Sequence, residues 1–312
     1  MSKSIMFTCP CIQKASLIEM GHGLVGADRT CPDSEKQYCF PVIGGSPVLI
    51  SELRCDTVCS AQNINSYVAR GSVKFAGLKK LISGESQVTE RNCSRFVEEL
   101  HKNTSLSKVL VIGSGEKGSG TDALWNCSGV EIHGIDIYAS DSTDAVCDAH
   151  YLPFADQSYD GVWIQAVLEH VVEPNVVVGE IYRVLKEGGI VYAETPFMQQ
   201  VHEGAYDFTR FTVLGHRFLF RKFEAIDFGG NRGAETVLAW AIRYFVWALT
   251  RSKNVARVFG VCFNFLLRPF SSLMSKASLF DSSSGVFFMG RKKSGHEVSH
   301  KELVSLYKGQ FN

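Results

Sequence analysis

The stretch Val109-Leu110-Val111-Ile112-Gly113-Ser114-Gly115-Glu116-Lys117-Gly118 decides the fold. Its four apolar, mostly β-branched residues read as a buried strand. The glycines that follow let the backbone turn sharply and approach a ligand closely at the strand's end. Asp136 closes the next apolar run, Glu131 to Asp136. A carboxylate at that distance can accept hydrogen bonds from both hydroxyls of a ribose, so an adenosine-bearing cofactor is expected at the turn. Gly113-x-Gly115-x-x-Gly118 also has the spacing of a dinucleotide fingerprint. The turn alone therefore does not separate one adenosine cofactor from another.

Outward from this point, Lys108 to Ile112, Ala145 to Asp148, Gly161 to Gln165 and Ile190 to Thr195 are short apolar runs, most of them separated by helical stretches. Such alternation predicts a doubly wound parallel α/β sheet with helices on both faces. The clearest helix has Pro174 in its first turn and carries Val177, Ile181, Val184 and Leu185 on one face, with Gly188-Gly189 expected to stop it. Phe223 to Phe228 and Val286 to Gly290 are expected to complete a seven-stranded sheet.

The composition agrees with a folded enzyme-sized chain of 312 residues. With 45% apolar and 21% charged residues, disordered and fibrous readings have no support. Thirty-two basic and thirty-two acidic side chains cancel, leaving no overall field to gather a polyanion, so no nucleic-acid partner is expected. Met1-Ser2-Lys3-Ser4-Ile5-Met6-Phe7-Thr8-Cys9-Pro10 lacks the apolar core of a secretory signal. The longest uncharged apolar run, between Arg257 and Arg268, is roughly half of the ~20 residues a spanning helix needs. A reduced, cytoplasmic location follows as the expectation.

Beyond the glycine turn come Asp148-Ala149-His150-Tyr151-Leu152-Pro153-Phe154-Ala155-Asp156-Gln157-Ser158-Tyr159-Asp160, Leu168-Glu169-His170, Arg183-Val184-Leu185-Lys186-Glu187-Gly188-Gly189 and Glu194-Thr195-Pro196. Over residues 105–230 the chain closely resembles the class I S-adenosylmethionine-dependent methyltransferases, which carry similar blocks in this order. The resemblance implies a Rossmann-like methyltransferase sheet and S-adenosylmethionine as cofactor. It also implies that Gly113, Ser114 and Gly115 pack against the methionine part, Asp136 binds the ribose and Asp148 the adenine amine. Ala149 would supply a backbone contact, and Ile137 and Gln165 join the same cofactor set. Val111 stands where an acidic residue is often found in this family, and Lys117 where a third glycine is usual. Two other readings stand beside the enzyme: a non-catalytic adenosyl-cofactor-binding or scaffold protein of the same fold, and an NAD-dependent oxidoreductase. Tyr182 and Lys186 have the spacing of a reductase pair, but the apolar face between them fits an ordinary core helix better.

After the fifth strand, His202-Glu203-Gly204-Ala205-Tyr206-Asp207-Phe208-Thr209-Arg210-Phe211-Thr212 should overhang the cofactor's methyl group. This string resembles a subset of methyltransferases associated with polysaccharide and glycolipid synthesis, which implies O-methylation of a saccharide or lipid-linked acceptor. His202 or His170 could take the acceptor's proton, with Asp207 orienting the base or binding a sugar hydroxyl. Arg210 could pair with Asp207 or with an anionic group of the substrate. The alternative for Asp207 and Arg210 is an ion pair that pins the loop. Glu169 reads as a cofactor-side or helix-start carboxylate.

The segment 231–282 is an apolar, basic helical insertion before the last strand. From 236 to 280 it carries Arg243, Arg251, Lys253, Arg257, Arg268 and Lys276 and no acidic residue. Apolar helices flanked only by positive charge suit a peripheral membrane contact, in which each basic residue contributes about 1 kcal/mol. A buried lid and a dimer surface are the other readings. At the other end, six of the ten cysteines fall in the first 59 residues. Cys9-Pro10-Cys11, Cys31 and Cys39, with the Phe40 to Ile50 strand pair, resemble a zinc ribbon that has decayed. One knuckle has shrunk and Ser34 replaces a cysteine, so no four-thiolate zinc site is expected. Cys55 and Cys59 are spaced as packed thiols on a helix. The expected organisation is a degenerate ribbon module over 1–52, a helical connector over 53–104, the methyltransferase domain over 105–292 and a tail over 293–312.

Overall fold

In the computed structural model, residues 5–10, 16–20, 24–27, 39–50, 57–59, 86–102 and 106–311 are described. The main sheet contains β1 (Ser107–Ile112), β2 (Val130–Asp136), β3 (Ala145–Val146), β4 (Tyr159–Gln165), β5 (Leu185–Pro196), β6 (Phe223–Gly230) and β7 (Gly285–Lys292). Their spatial order is β6-β7-β5-β4-β1-β2-β3. β1 to β5 run parallel, and β7 inserts antiparallel between β5 and β6. This is the doubly wound seven-stranded sheet the alternation predicts. The strand order reverses between β1 and β4, which opens a crevice at their carboxyl ends where such sheets bind ligands.

Near-continuous burial along β1 and β4 reflects cover on both faces. On one face α1 (Gln87–His101), capped by the Ser86 hydroxyl accepting from Thr89 N–H, buries Cys93, Phe96 and Leu100. Phe96 meets Trp163 edge-on, and Trp163 stacks on Tyr192. Gly161 permits this approach, since a Cβ there would lie 2.9 Å from Leu100 Cδ2 and 3.0 Å from Phe96 Cζ. On the other face, α3 (Pro174–Val184) buries Val177, Ile181 and Val184 in one core with Leu110, Ile112 and Val162. The short α2 (Asp122–Trp125) lies between them in the chain, and α4 (Val213–Leu219) follows β5.

α3 ends at Val184, not at the expected Gly188-Gly189. Leu185 already pairs with Tyr159 on β4, and the register shifts before Ile190. Tertiary pairing thus takes residues that helical periodicity assigns to the helix face. Cys59 is not helical; its N–H donates to Thr57 Oγ1. Cys55 lies outside the described residues, and so do Cys11, Cys31 and Ser34. The strand pair expected near Phe40 is present as Val42–Ile43 against Ser46–Pro47, following an antiparallel sheet of Leu17–Met20, Leu24–Ala27 and Cys39–Phe40. This module extends the sheet edge: Val48 bridges Val146, and Leu49 N–H donates to Val146 O at 2.7 Å. Cys9, Phe40 and Leu49 join the main core.

Within the insertion, α5 (Ala234–Thr250) and α6 (Lys253–Leu267) form a hairpin, followed by a 3-10 segment at Arg268–Leu273 and α7 (Lys276–Ser282). No described helix is long and apolar enough to cross a membrane.

Candidate active site

The glycine turn is tied to β2. Gly113 and Ser114 N–H both donate to Ile135 O, and Gly115 N–H donates to Asp136 Oδ2 at 2.7 Å. Gly113 has φ +83°, and a Cβ there would come 2.3 Å from Val167 Cγ2. At Gly115 a Cβ would meet the Tyr138 ring at 2.4 Å. The turn therefore threads between Val167 and Tyr138 in a way only glycine allows. Ser114 is fully buried with its hydroxyl turned against Gly134, so it offers backbone rather than side chain. Ile137 is half exposed beside Asp136, an apolar side chain where an adenine edge could pack, and Ile137 N–H donates to Asp136 Oδ1. Gln165 Oε1 is buried without a hydrogen-bond partner. A glycine cradle, a carboxylate and an exposed isoleucine fit an adenosyl cofactor.

Asp148 is bonded within the protein. Its buried carboxylate accepts from His150 N–H at 2.9 Å, from His150 Nδ1 at 2.6 Å and from the Thr57 hydroxyl. Burial pushes its pKa up, but the bonds from His150 and Thr57 outweigh this and hold it below the usual range. Asp148 thus ties the end of the sheet to the N-terminal segment through Thr57. Ala149 follows, buried, at the start of a 3-10 turn.

A cavity of about 230 Å³ opens at the carboxyl ends of β4 and β5. Gln165, Glu169, Glu194, His202, Arg232 and Trp240 contribute to its wall. Glu194 accepts from Thr89 Oγ1 at 2.9 Å, Tyr192 OH at 2.8 Å and Asn231 Nδ2 at 2.7 Å, making a fixed polar floor. Sequence reading passed over these partners. A charged residue inside the apolar run Ile190 to Thr195 was a usable signal for Glu194. Nothing local marked Thr89 or Asn231, which reach the site only through folding.

At one end of this cavity the chain leaves β4 through Ala166, whose φ of 54° is strained for a residue with a Cβ. That bend buries Leu168 and turns Glu169 inward on the 3-10 turn Leu168–His170. The Glu169 side chain is 1% exposed, and neither oxygen has a hydrogen-bond partner. Its Oε1 lies 3.6 Å from His170 Nε2 and 3.8 Å from His202 Nε2. Burial pushes the carboxyl up to about 8. Burial also lowers His170, against the opposing bond to Tyr206. His170 Nδ1 sits 2.6 Å from Tyr206 O, so this nitrogen donates and Nε2 keeps its lone pair. His202 Nδ1 lies 3.2 Å from Asp207 Oδ2, which also accepts from His202 N–H at 2.9 Å. The Arg210 guanidinium is 3.5 Å from the same ring nitrogen.

Asp207 and Arg210 are paired side by side, and the guanidinium holds the Asp207 carboxyl well below the usual range. Arg210 also donates to Gln199 O, Gln200 O and Thr209 O, which fastens the loop over the cavity. The geometry therefore brings His170 and His202 together around Glu169 and sets Asp207 and Arg210 behind them. Of the three, Glu169 is the one whose place at the centre the sequence did not suggest.

The helical hairpin covers the cavity with one side only. Trp240 lines the wall, and Tyr244 OH donates to Val201 O at 2.7 Å. Elsewhere Phe245, Phe265 and Leu273 are 65%, 76% and 74% exposed, too open for a lid buried against the domain.

Residues 110–193 match the family model described as a methyltransferase domain. A 44-residue stretch is 48% identical to a ubiquinone/menaquinone biosynthesis C-methyltransferase of Desulfotalea psychrophila, covering 14% of this chain and 18% of that protein. A 69-residue stretch is 36% identical to the enzyme of the same description from Saccharophagus degradans, covering 22% and 28%. The chain thus spans less than a third of the length of these curated relatives. Among solved structures, a S-adenosylmethionine-dependent methyltransferase from Archaeoglobus fulgidus aligns with TM-score 0.43 and 17% identity, over 70% of this chain and 100% of that one. Phosphoethanolamine N-methyltransferase 2 of Haemonchus contortus, in complex with S-adenosyl-L-methionine, aligns with TM-score 0.42 and 16% identity, over 73% and 59%. Residues 110–193, which match a methyltransferase domain, thus lie within a seven-stranded, doubly wound sheet that carries the glycine turn at the end of its first strand.

Proposed function

We propose that the chain is an S-adenosylmethionine-dependent O-methyltransferase whose acceptor is a saccharide or lipid-linked hydroxyl. The observation that carries this reading is the group Glu169, His170 and His202, of which Glu169 and His202 line the cavity beside the expected cofactor turn. Methyl transfer needs an acceptor oxygen aligned with the sulfonium carbon and a place for its proton. The cavity supplies alignment through Glu194 and the aromatic wall at Trp240. The histidine nitrogens directed at Glu169 receive the proton. Asp207 and Arg210 are positioning residues that hold His202 and its loop. S-adenosylmethionine held at the glycine turn would supply an electrophilic methyl group and leave as a neutral thioether, while the chain's own residues would align the acceptor oxygen with it and take up the proton.

The exposed apolar insertion, with six basic residues between 236 and 280, supports an acceptor presented at an anionic membrane surface, reached from the cytoplasmic face. A carbon acceptor of quinone type is a second reading, favoured by the short match to C-methyltransferases. Incubation with methyl-labelled S-adenosylmethionine and fractionated lipid and saccharide extracts tests both, since the labelled product reveals whether oxygen or carbon was methylated. Cofactor binding without turnover on any fraction would leave the non-catalytic reading.

A further inference from the structure

We propose that Glu169, His170 and His202 form a binding site for one divalent transition-metal ion, with zinc the best match to its ligand set. Two imidazoles and one carboxylate make a three-ligand site that leaves positions open for substrate. Among the described residues, these offer ligand atoms that all lie within 4.8 Å of one another. Ligand atoms about 2 Å from a zinc ion stand roughly 3.3 Å apart at tetrahedral angles. The separations of 3.6 and 3.8 Å from Glu169 Oε1 to the two Nε2 atoms need only a small contraction, and the two imidazoles, whose ligand atoms lie within 4.8 Å, would have to close by up to roughly 1.5 Å.

Two further features point to a cation. The Glu169 carboxyl is buried, and neither oxygen has a hydrogen-bond partner, an arrangement that costs free energy when ionised unless a cation meets it or a proton neutralises it. Both histidines also have outer partners on Nδ1. Tyr206 O accepts from His170, and Asp207 Oδ2 stands 3.2 Å from the His202 ring nitrogen. The bond to Tyr206 O fixes the His170 tautomer and leaves its Nε2 as the ligand atom, as behind metal-bound histidines, while Asp207 and the Arg210 guanidinium 3.5 Å from the same nitrogen orient the His202 ring. Asp207 is in turn held by Arg210, which explains why an ion pair is built behind an imidazole rather than in the cavity.

The consequence for chemistry rests on the reading of this cavity as the acceptor side. With the ion bound, both Nε2 atoms would be ligands and the proton-accepting role given to them above would apply to the metal-free site alone; an acceptor hydroxyl on an open position would instead lose its proton to water near neutral pH and leave an alkoxide as the nucleophile. The metal site itself requires no turnover to be tested.

The full chain, stripped with chelator, is titrated calorimetrically with zinc and spectroscopically with cobalt(II). The expected result is one ion per chain at this site, with micromolar or tighter affinity and a cobalt spectrum free of thiolate charge transfer. Glu169→Gln and His202→Ala should each weaken uptake at least about 100-fold. Asp207→Asn should weaken it about 10- to 100-fold by releasing the His202 ring. Cys39→Ser should change nothing. Each variant is checked for S-adenosylhomocysteine binding and its melting curve, so that loss of fold is recognised. Absence of uptake by wild-type protein that still binds S-adenosylhomocysteine overturns the proposal. So does a cobalt spectrum showing thiolate ligation alone, or affinity unchanged within about threefold in a folded Glu169→Gln. Metal binding without methyl transfer would refute the enzymatic reading and leave the site standing.

Discussion

His216 should make the protein lose stability in mild acid, and its substitution should remove that loss. The ring is fully buried on α4 between Phe211 and Phe220, and only Nε2 has a partner, Thr195 Oγ1 at 2.8 Å. A charged imidazole would need acceptors on both nitrogens, and burial pushes its pKa from 6.5 down to about 3. The unfolded chain therefore binds the proton first. Stability is fully present above pH 6.5 and is lost as pH falls from there toward 3. Linkage gives a loss of about 1 kcal/mol at pH 5.5 and about 3 kcal/mol at pH 4.5 from this one group. His216→Phe keeps a ring among aromatic neighbours. It also leaves the buried Thr195 hydroxyl without its partner, a pH-independent cost of about 1–3 kcal/mol. Urea unfolding of both proteins at pH 7.5, 5.5 and 4.5 measures the difference. The gap between wild type and variant should shrink, and can reverse, as pH falls. Parallel pH profiles would show that His216 is not held neutral by burial.

Three other perturbations reach different parts of the molecule. Asp136→Ala removes both the carboxylate at the ribose position and the acceptor of Gly115 N–H, so calorimetry should show S-adenosylhomocysteine binding weaker by about 1–3 kcal/mol; tight binding of a nicotinamide dinucleotide instead would refute the cofactor assignment. Gly161→Ala forces a methyl against Leu100 and Phe96 and should cost about 1–3 kcal/mol of stability in thermal or urea unfolding. The wild-type chain should pellet with anionic liposomes at low salt and release as salt rises, and replacing Arg251, Lys253 and Arg257 with Glu should abolish pelleting without lowering the melting temperature; no pelleting at any ionic strength would turn the exposed hairpin into a protein interface.

Much of the fold was written locally. The glycine turn after Val109 to Ile112, the alternation of short strands with helices, and Pro174 at the start of α3 are consequences of neighbouring residues, so period and turn chemistry expose them. Asp136, the carboxylate expected at the ribose, was legible as an acid closing the next strand, and its oxygens reach Gly115 and Ile137. The end of α3 was not legible, because Leu185 is taken by pairing with Tyr159 on another strand. Nor was the tie of Asp148 to Thr57, two residues far apart in the chain. The histidines His170 and His202 could be picked out as reactive residue types near strand ends. Their common centre could not, since Glu169 gains its meaning only from burial, from the left-handed bend at Ala166 and from a loop that Arg210 folds back over it. Sequence determined which chemistry was present at the carboxyl edge of the sheet. Tertiary structure decided which groups share a few ångströms of low-dielectric space, because desolvation and convergence depend on distances through space rather than along the chain.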